Sequence, residues 1–296
     1  MKVIKPTHTT QAMVVSTTAS ETYAEYNAGT AYALDAQVTI AATGRMYRCI
    51  QGPSTGNAPA TSPLWWVDIG PSNKWAMFDS QISTATTHPT ALTVVLDTGY
   101  VNSLALVGVL GASATVTATD GAAGPTVYSR TIPLDGTLIS DWYQYFFEAF
   151  NQLGEVVITD IPTYLSLRLT VSVTGVNVAV GNLAFGTSYD LGQTEYGASA
   201  SIIDYSRKDT SALGVTTFVQ RQFSKRMSAR MMLPTAQANK VQRVLADVRA
   251  TPCVWIGSDD TATYAPLVVF GFYRDFSIDI AYALYCYCSL EIEGLT

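Results

Sequence analysis

Nucleophilic catalysis of the Ser-His-Asp or Cys-His type needs a histidine to move the proton, and this 296-residue chain has two, His8 and His88. His8 lies in the Thr-rich start MKVIKPTHTT, and His88 precedes Pro89 in a TTHPT turn. Neither has a GxSxG elbow or a cysteine motif beside it, and the chain shows no HExxH, no Walker loop and no GxGxxG after a strand. Glycoside hydrolysis would use two carboxylates instead, for which Asp259 with Asp260 and Glu291 with Glu293 are the candidates. The first pair reads as a turn and the second as the solvent face of a strand. No catalytic residue is assigned, and the chain is expected not to be an enzyme. Its four cysteines lack CxxC spacing, so they indicate neither a disulfide scaffold nor a zinc or redox site. Cys286 and Cys288, in CYC, share a strand face and read as packed thiols; Cys49 and Cys253 are isolated. No metal and no cofactor is expected.

Stacking is the chemistry that the residue types favour. Sugars present flat C–H faces to exposed rings while polar side chains take their hydroxyls, so a binding module needs aromatics on a small rigid scaffold. Between Glu21 and Ser72 the chain crowds Tyr26, Tyr32, Tyr47, Trp65 and Trp66 among turn residues. In SPLWWVDIG, successive side chains of an extended run point to opposite faces, so Trp65 and Trp66 cannot share one core. A unit this small also needs several rings for its own interior.

The elements that must carry these residues read as mainly β. Hydrophobic residues make up 48% and charged ones 14%, with Thr, Ser, Ala, Val and Gly frequent, a composition of short β-branched strands and tight turns. Residues 1–20 lack periodicity and read as an N-terminal arm. Residues 21–72 form the small aromatic-rich β module. Across 73–192, period-2 texture in LTVVLD (92–97), SLALVGVL (103–110), ATVTAT (114–119), EVVITDI (155–161), YLSLRLTVSVT (164–174) and VAVGNLAFG (178–186) predicts an antiparallel β-sandwich or jelly roll. The uncharged stretch from Thr98 to Thr119 is interrupted by polar residues and reads as two buried strands rather than a membrane span. No secretory signal is read at the start, and no membrane insertion is expected.

Residues 193–296 read as a β-rich assembly domain. TFVQRQFSKRMSARMML predicts a long two-faced strand or a hairpin arm. Val241, Val244, Leu245 and Val248 stand at helical spacing between Thr235 as cap and Pro252 as stop, predicting one helix over about 235–249. FSIDIAYALYCYCSLEIEGL alternates without a slip, as one overlong strand or one bent at a bulge into a second sheet.

The formal charge of −6 is divided unevenly. From Trp75 to Asp204 eleven acids face only Arg130 and Arg168, whereas from Arg207 to Arg249 nine cations face only Asp209 and Asp247. The basic stretch reads as a solvated face with salt bridges to a neighbouring subunit, and no DNA or RNA motif accompanies it. Candidate assembly residues are Arg221, Lys225, Arg226, Arg230, Arg274 and Asp275, the last two as a surface or interface ion pair.

The run EYNAGTAYALDAQVTIAATGRMYRCIQGPSTGNAPATSPLWWVDIG resembles small chitin-binding-type carbohydrate-binding modules of families five and twelve. Tyr26, Tyr32, Val38, Gly44, Tyr47, Pro59 and Trp66 stand at the family's positions, with Tyr26 where a Trp is usual and ALDAQV where a GD turn is usual. The resemblance implies Trp66 and Val38 in the module core and Trp65, Tyr26, Tyr32 and Tyr47 as carbohydrate contacts, with Trp65 outward. DIGPSNKWAMFDSQISTAT is similar to a junction in tailed-bacteriophage structural proteins, where such a module precedes a jelly roll; VAVGNLAFG is similar to a strand of galactose-binding-like domains. VVFGFYRDFSIDIAYALYCYCSLEIEGLT is similar to the end of those phage virion proteins. The resemblance implies a virion component of the tail tip, baseplate or tail-attached fibre region, made in the host cytoplasm. Its partners would be other virion proteins, further copies of itself and a host-surface glycan, with nucleic acid not among them. The alternatives are a secreted carbohydrate-binding or hydrolase-accessory protein, a glycan-degrading enzyme with an unrecognised carboxylate pair, and a capsid decoration protein.

Overall fold

The computed structural model describes residues 1–137, 139–210, 213–260, 264–280 and 282–295. The chain opens with β1 (Lys2–Pro6) and β2 (Val14–Thr17), then forms a module from β3 (Gln37–Ile40), β4 (Arg45–Cys49) and β5 (Trp66–Pro71). A second series follows: β6 (Thr86–His88), β7 (Ala91–Asp97), β8 (Ser103–Leu110), β9 (Ser113–Asp120) and β10 (Thr126–Pro133). Then come the short helix α1 (Trp142–Phe147), β11 (Glu155–Ile158), β12 (Leu167–Thr174) and β13 (Val178–Asp190). The C-terminal part holds β14 (Gln193–Thr194), β15 (Ser199–Asp204), β16 (Arg207–Thr210), β17 (Thr216–Val219), β18 (Phe223–Pro234), α2 (Ala238–Asp247), β19 (Cys253–Ile256), β20 (Val268–Asp279) and β21 (Tyr285–Gly294).

The protein is mainly β, with antiparallel sheets forming a jelly-roll-like sandwich. One sheet has the order β10-β9-β12-β7-β2. Its alternating Leu92, Val94, Leu96, Val116 and Leu169 pack against Leu104, Leu106 and Phe185 from β8 and β13 of the opposing sheet. These period-2 strands have one buried and one wetter face, which makes them readable from sequence.

The opposing sheet does not stop at the sandwich. Its path β11-β8-β13-β1-β19-β20-β21-β18 runs into the C-terminal third without a break. The join is β1, where Val3 stands opposite Tyr189 of β13 on one side and Trp255 of β19 on the other. Val3 and Ile4 are both 0% exposed and enter different cores. The arm expected over residues 1–20 is thus corrected: β1 is an interior strand, and β2 extends the other sheet beside β7. A strand covered on both faces loses its period-2 signature. In KVIKP the apolar pair is also flanked by lysines, which reach Asp259 and Asp247 at the margins.

The long sheet curls into a half-barrel. Its convex face is covered by the five-stranded sheet at one end and by α2 at the other, where Val241, Leu245 and Val248 pack with Val3, Trp255 and Leu290. Its concave face gathers Ile4, Ala105, Val107, Ala184, Val254, Ile256, Val268 and Phe270. Curling brings β18 back toward β11, and Lys225 of β18 pairs with Glu155 of β11 across the open side.

Two C-terminal expectations change. The uninterrupted alternation from Phe276 to Ile292 is neither one overlong strand nor a bend into a second sheet; β20 and β21 fold back as a hairpin. Paired residues have the same parity (Ile278 with Cys288, Phe276 with Leu290), so one apolar face continues through the reversal. The reversal falls on IAYAL, which carries no Gly, Pro, Asn or Asp to announce it; its Ala281 lies outside the described residues. Thr235 does not cap the predicted helix. It leads a 3-10 turn, and its hydroxyl donates to the Tyr282 carbonyl at 3.5 Å, while α2 begins at Ala238.

Candidate functional site

The module is built around three buried side chains, Val38, Cys49 and Trp66. Trp66 opens β5 opposite Cys49, is 2% exposed, and donates its indole N–H to the Asn57 carbonyl at 2.9 Å. Tyr26 and Tyr32 stack with ring centroids 5.5 Å apart, and both meet the Trp66 ring edge-on, at 6.0 and 5.3 Å. The Tyr32 hydroxyl accepts from the Asn27 N–H. The fold therefore brings the aromatic residues singled out from sequence into one cluster, and Tyr26, Tyr32, Tyr47 and Trp65 are all half-buried against its core. Their remaining ring surface can stack on a flat apolar ligand face. Trp65 divides its ring between packing and solvent beside the exposed Leu64.

Trp75 locks this module to the sandwich. Gly44, at φ +63° in the β3–β4 turn, leaves room that a Cβ would fill 2.5 Å from the Trp75 ring, and Trp75 packs in turn on Phe78. Beside it, the Asn73 side chain donates to the carbonyls of Ser20 and Thr87.

The assembly residues fare differently. Lys225, Arg226, Arg230 and Arg274 pair within the chain, with Glu155, Glu291, Glu195 and Glu293 respectively. Arg230 also lies 4.2 Å over the Tyr287 ring. The expected Arg274–Asp275 pair is corrected by a bulge between Tyr273 and Asp275, with Arg274 directed to Glu293 and Asp275 set opposite Glu291. Arg221 has no carboxylate partner among the described residues, and the same holds for Lys208, Lys240, Arg243 and Arg249. Arg221 and Lys208 sit on a protruding arm: β15 pairs with β18, and the chain continues outward as the two-stranded β16–β17 hairpin. Ile202, Leu213, Phe218, Val219 and Phe223 are exposed along it.

A second surface went unread in the sequence. Between β10 and β11, a loop carries α1 with Trp142, Tyr143, Tyr145, Phe146, Phe147 and Phe150 between 62% and 79% exposed. Its neck is fixed by the Gly136 N–H to the Asn151 carbonyl and the Leu153 N–H to the Leu134 carbonyl, with Leu134 wholly buried. Asp141 caps α1 through the Gln144 N–H at 2.7 Å, and the Ser140 N–H and hydroxyl donate to the Gln144 side chain. The available signal was DWYQYFFEAF, a run of rings that fits neither a strand period nor a single helix face.

Four of the groups considered for catalysis have partners within the chain. The His88 Nδ1 accepts from the N–H groups of Thr90 and Ala91, Glu291 and Glu293 are tied to arginines, and Asp259 pairs with Lys2. Among the described residues no three His, Cys, Asp or Glu side chains gather as a metal site, and no helix is long and apolar enough to cross a membrane. All four cysteines are buried and free. Burial pushes the Cys253 thiol up to about 12 and that of Cys288 to about 11. Thiolate is therefore scarce at neutral pH, and Ellman's reagent is expected to find no reactive thiol in the folded chain and all four after denaturation. A thiol whose pKa is raised by folding stabilises in full below its unfolded value near 9 and loses that contribution as pH climbs toward 12. Cys253→Ala is accordingly expected to flatten the fall in stability across that window; an unchanged slope would contradict the assignment.

Compared with known proteins, the chain matches no family model and no curated protein.

Proposed function

We propose that this chain is a structural component of a tailed-phage virion, in the tail-tip, baseplate or tail-attached fibre region. It assembles with copies of itself and with other virion proteins, and it displays the aromatic module toward a host-surface glycan or a virion neighbour. The observation that carries the assembly role is a body stiffened by one continuous sheet that leaves two large apolar surfaces, the α1 loop and the β15–β18 arm, uncovered in a single copy. Monomeric proteins rarely expose apolar patches on this scale. The resemblance of the junction after the module and of the C-terminal segment to tailed-phage structural proteins supports the same reading.

Light scattering on the purified chain tests the assembly role, with a defined multiple of the chain mass expected; a monomer at every concentration would contradict it. Polysaccharide pull-down tests the display role. Trp65→Ala is expected to lower retention on chitin or on host-wall polysaccharide about tenfold, the effect of losing ~1.4 kcal/mol of ring stacking. Equal retention of both proteins would assign the Trp65 ring to packing alone.

A further inference from the structure

We infer that the aromatic α1 loop of one copy docks on the β15–β18 arm of the next, a head-to-tail contact that deepens and rests on the assembly reading above. Three observations select a second copy as the occupant.

The first is area. At 62–79% exposure, six rings of ~200 Å² each offer roughly 800 Å², about one partner's share of a standard interface. A helix with aromatic rings at five of its six positions, held out by a neck fixed at both ends, is built to be covered.

The second is the arm. A two-stranded hairpin is marginal by itself in water, yet β16 and β17 extend beyond the body with Phe218, Val219 and the nearby Leu213 exposed. The arm needs cover as much as the loop does.

The third is charge. No Lys or Arg occurs between Arg130 and Arg168, and the loop's charged groups are Asp135 at its neck and Asp141 and Glu148 beside the rings, all exposed. The arm carries Lys208 and Arg221, neither paired with a carboxylate among the described residues, while its Arg207 is matched by Asp209 and its Asp204 accepts from the Ser206 N–H, which leaves the arm net positive by one. Opposite signs on two apolar surfaces of one chain fit a heterologous contact, which closes into a ring or propagates as a filament. The acidic loop disfavours an anionic lipid surface as its occupant.

The test mixes two single variants, Phe147→Cys in the loop and Phe218→Cys in the arm, and adds a short bis-maleimide; the native thiols are buried. A covalent dimer in the mixture but in neither variant alone is expected. Dimers from Phe147→Cys alone would show loop-to-loop pairing and overturn the proposal, as would the absence of any cross-link. Charge reversal is the second arm of the test. Asp141→Arg with Glu148→Arg is expected to weaken assembly at least tenfold, and adding Lys208→Glu with Arg221→Glu is expected to restore it, which a folding defect would not do. Assembly indifferent to both sets would overturn this contact and leave the assembly reading standing, whereas a chain absent from phage particles would overturn that reading itself.

Discussion

Ile4→Asp is expected to abolish the cooperative unfolding transition of the whole body. Ile4 is fully buried on the concave face of the half-barrel, among Ala105 and Ala184 from the sandwich side and Val254, Ile256, Val268 and Phe270 from the C-terminal side. Truncating such a side chain to alanine costs ~2–5 kcal/mol, and an unpaired buried carboxylate adds several more. Total stability is typically ~5–15 kcal/mol, so the variant approaches or exceeds it. The damage extends to both halves because β1 is the strand between β13 and β19. Lys5→Ala, one residue on, removes an exposed ion pair with Asp247 and is expected to melt like the parent chain. Circular dichroism on heating makes the comparison; a melting temperature for Ile4→Asp within a few degrees of the parent would show that β1 does not join the halves.

Trp66→Ala is expected to unfold the module and leave the sandwich intact. The cost of removing a buried tryptophan is ~3–5 kcal/mol. Here the ring is one of three core side chains, so nothing else can close the space, and the Tyr26–Tyr32 stack loses the edge it leans on. Trp66→Phe keeps much of the volume but leaves the Asn57 carbonyl without its indole donor, at ~1–2 kcal/mol. Limited proteolysis reads the result. Rapid cleavage within the module, with a protected fragment beginning near Trp75, is expected for Trp66→Ala, whereas cleavage spread equally over the sandwich would show that the module does not unfold by itself.

The legible parts of the fold are those with one wet face. Leu92, Val94 and Leu96 alternate with exposed or half-exposed neighbours, and Val241, Leu245 and Val248 recur at helical spacing against one core, so pattern and burial coincide. The pattern failed where a strand is covered on both faces, as at Val3 and Ile4, and where a reversal preserved parity, as at IAYAL. The site followed the same logic. The aromatic cluster of the module was legible because a small unit has few places to put rings. The internal pairing of Lys225 with Glu155 depends on the curl of a sheet whose strands lie far apart in sequence, and no local pattern carries it. The rings of the α1 loop obey no core periodicity, so no strand or helix pattern announces them, and their exposure is what the proposed contact rests on.

Peptide counting by mass spectrometry on purified phage particles, with immunogold labelling for position, tests the central claim most directly. The account predicts that the chain is recovered with the particles at a fixed copy number and labels the tail. A chain confined to the soluble lysate and absent from the particles would contradict it.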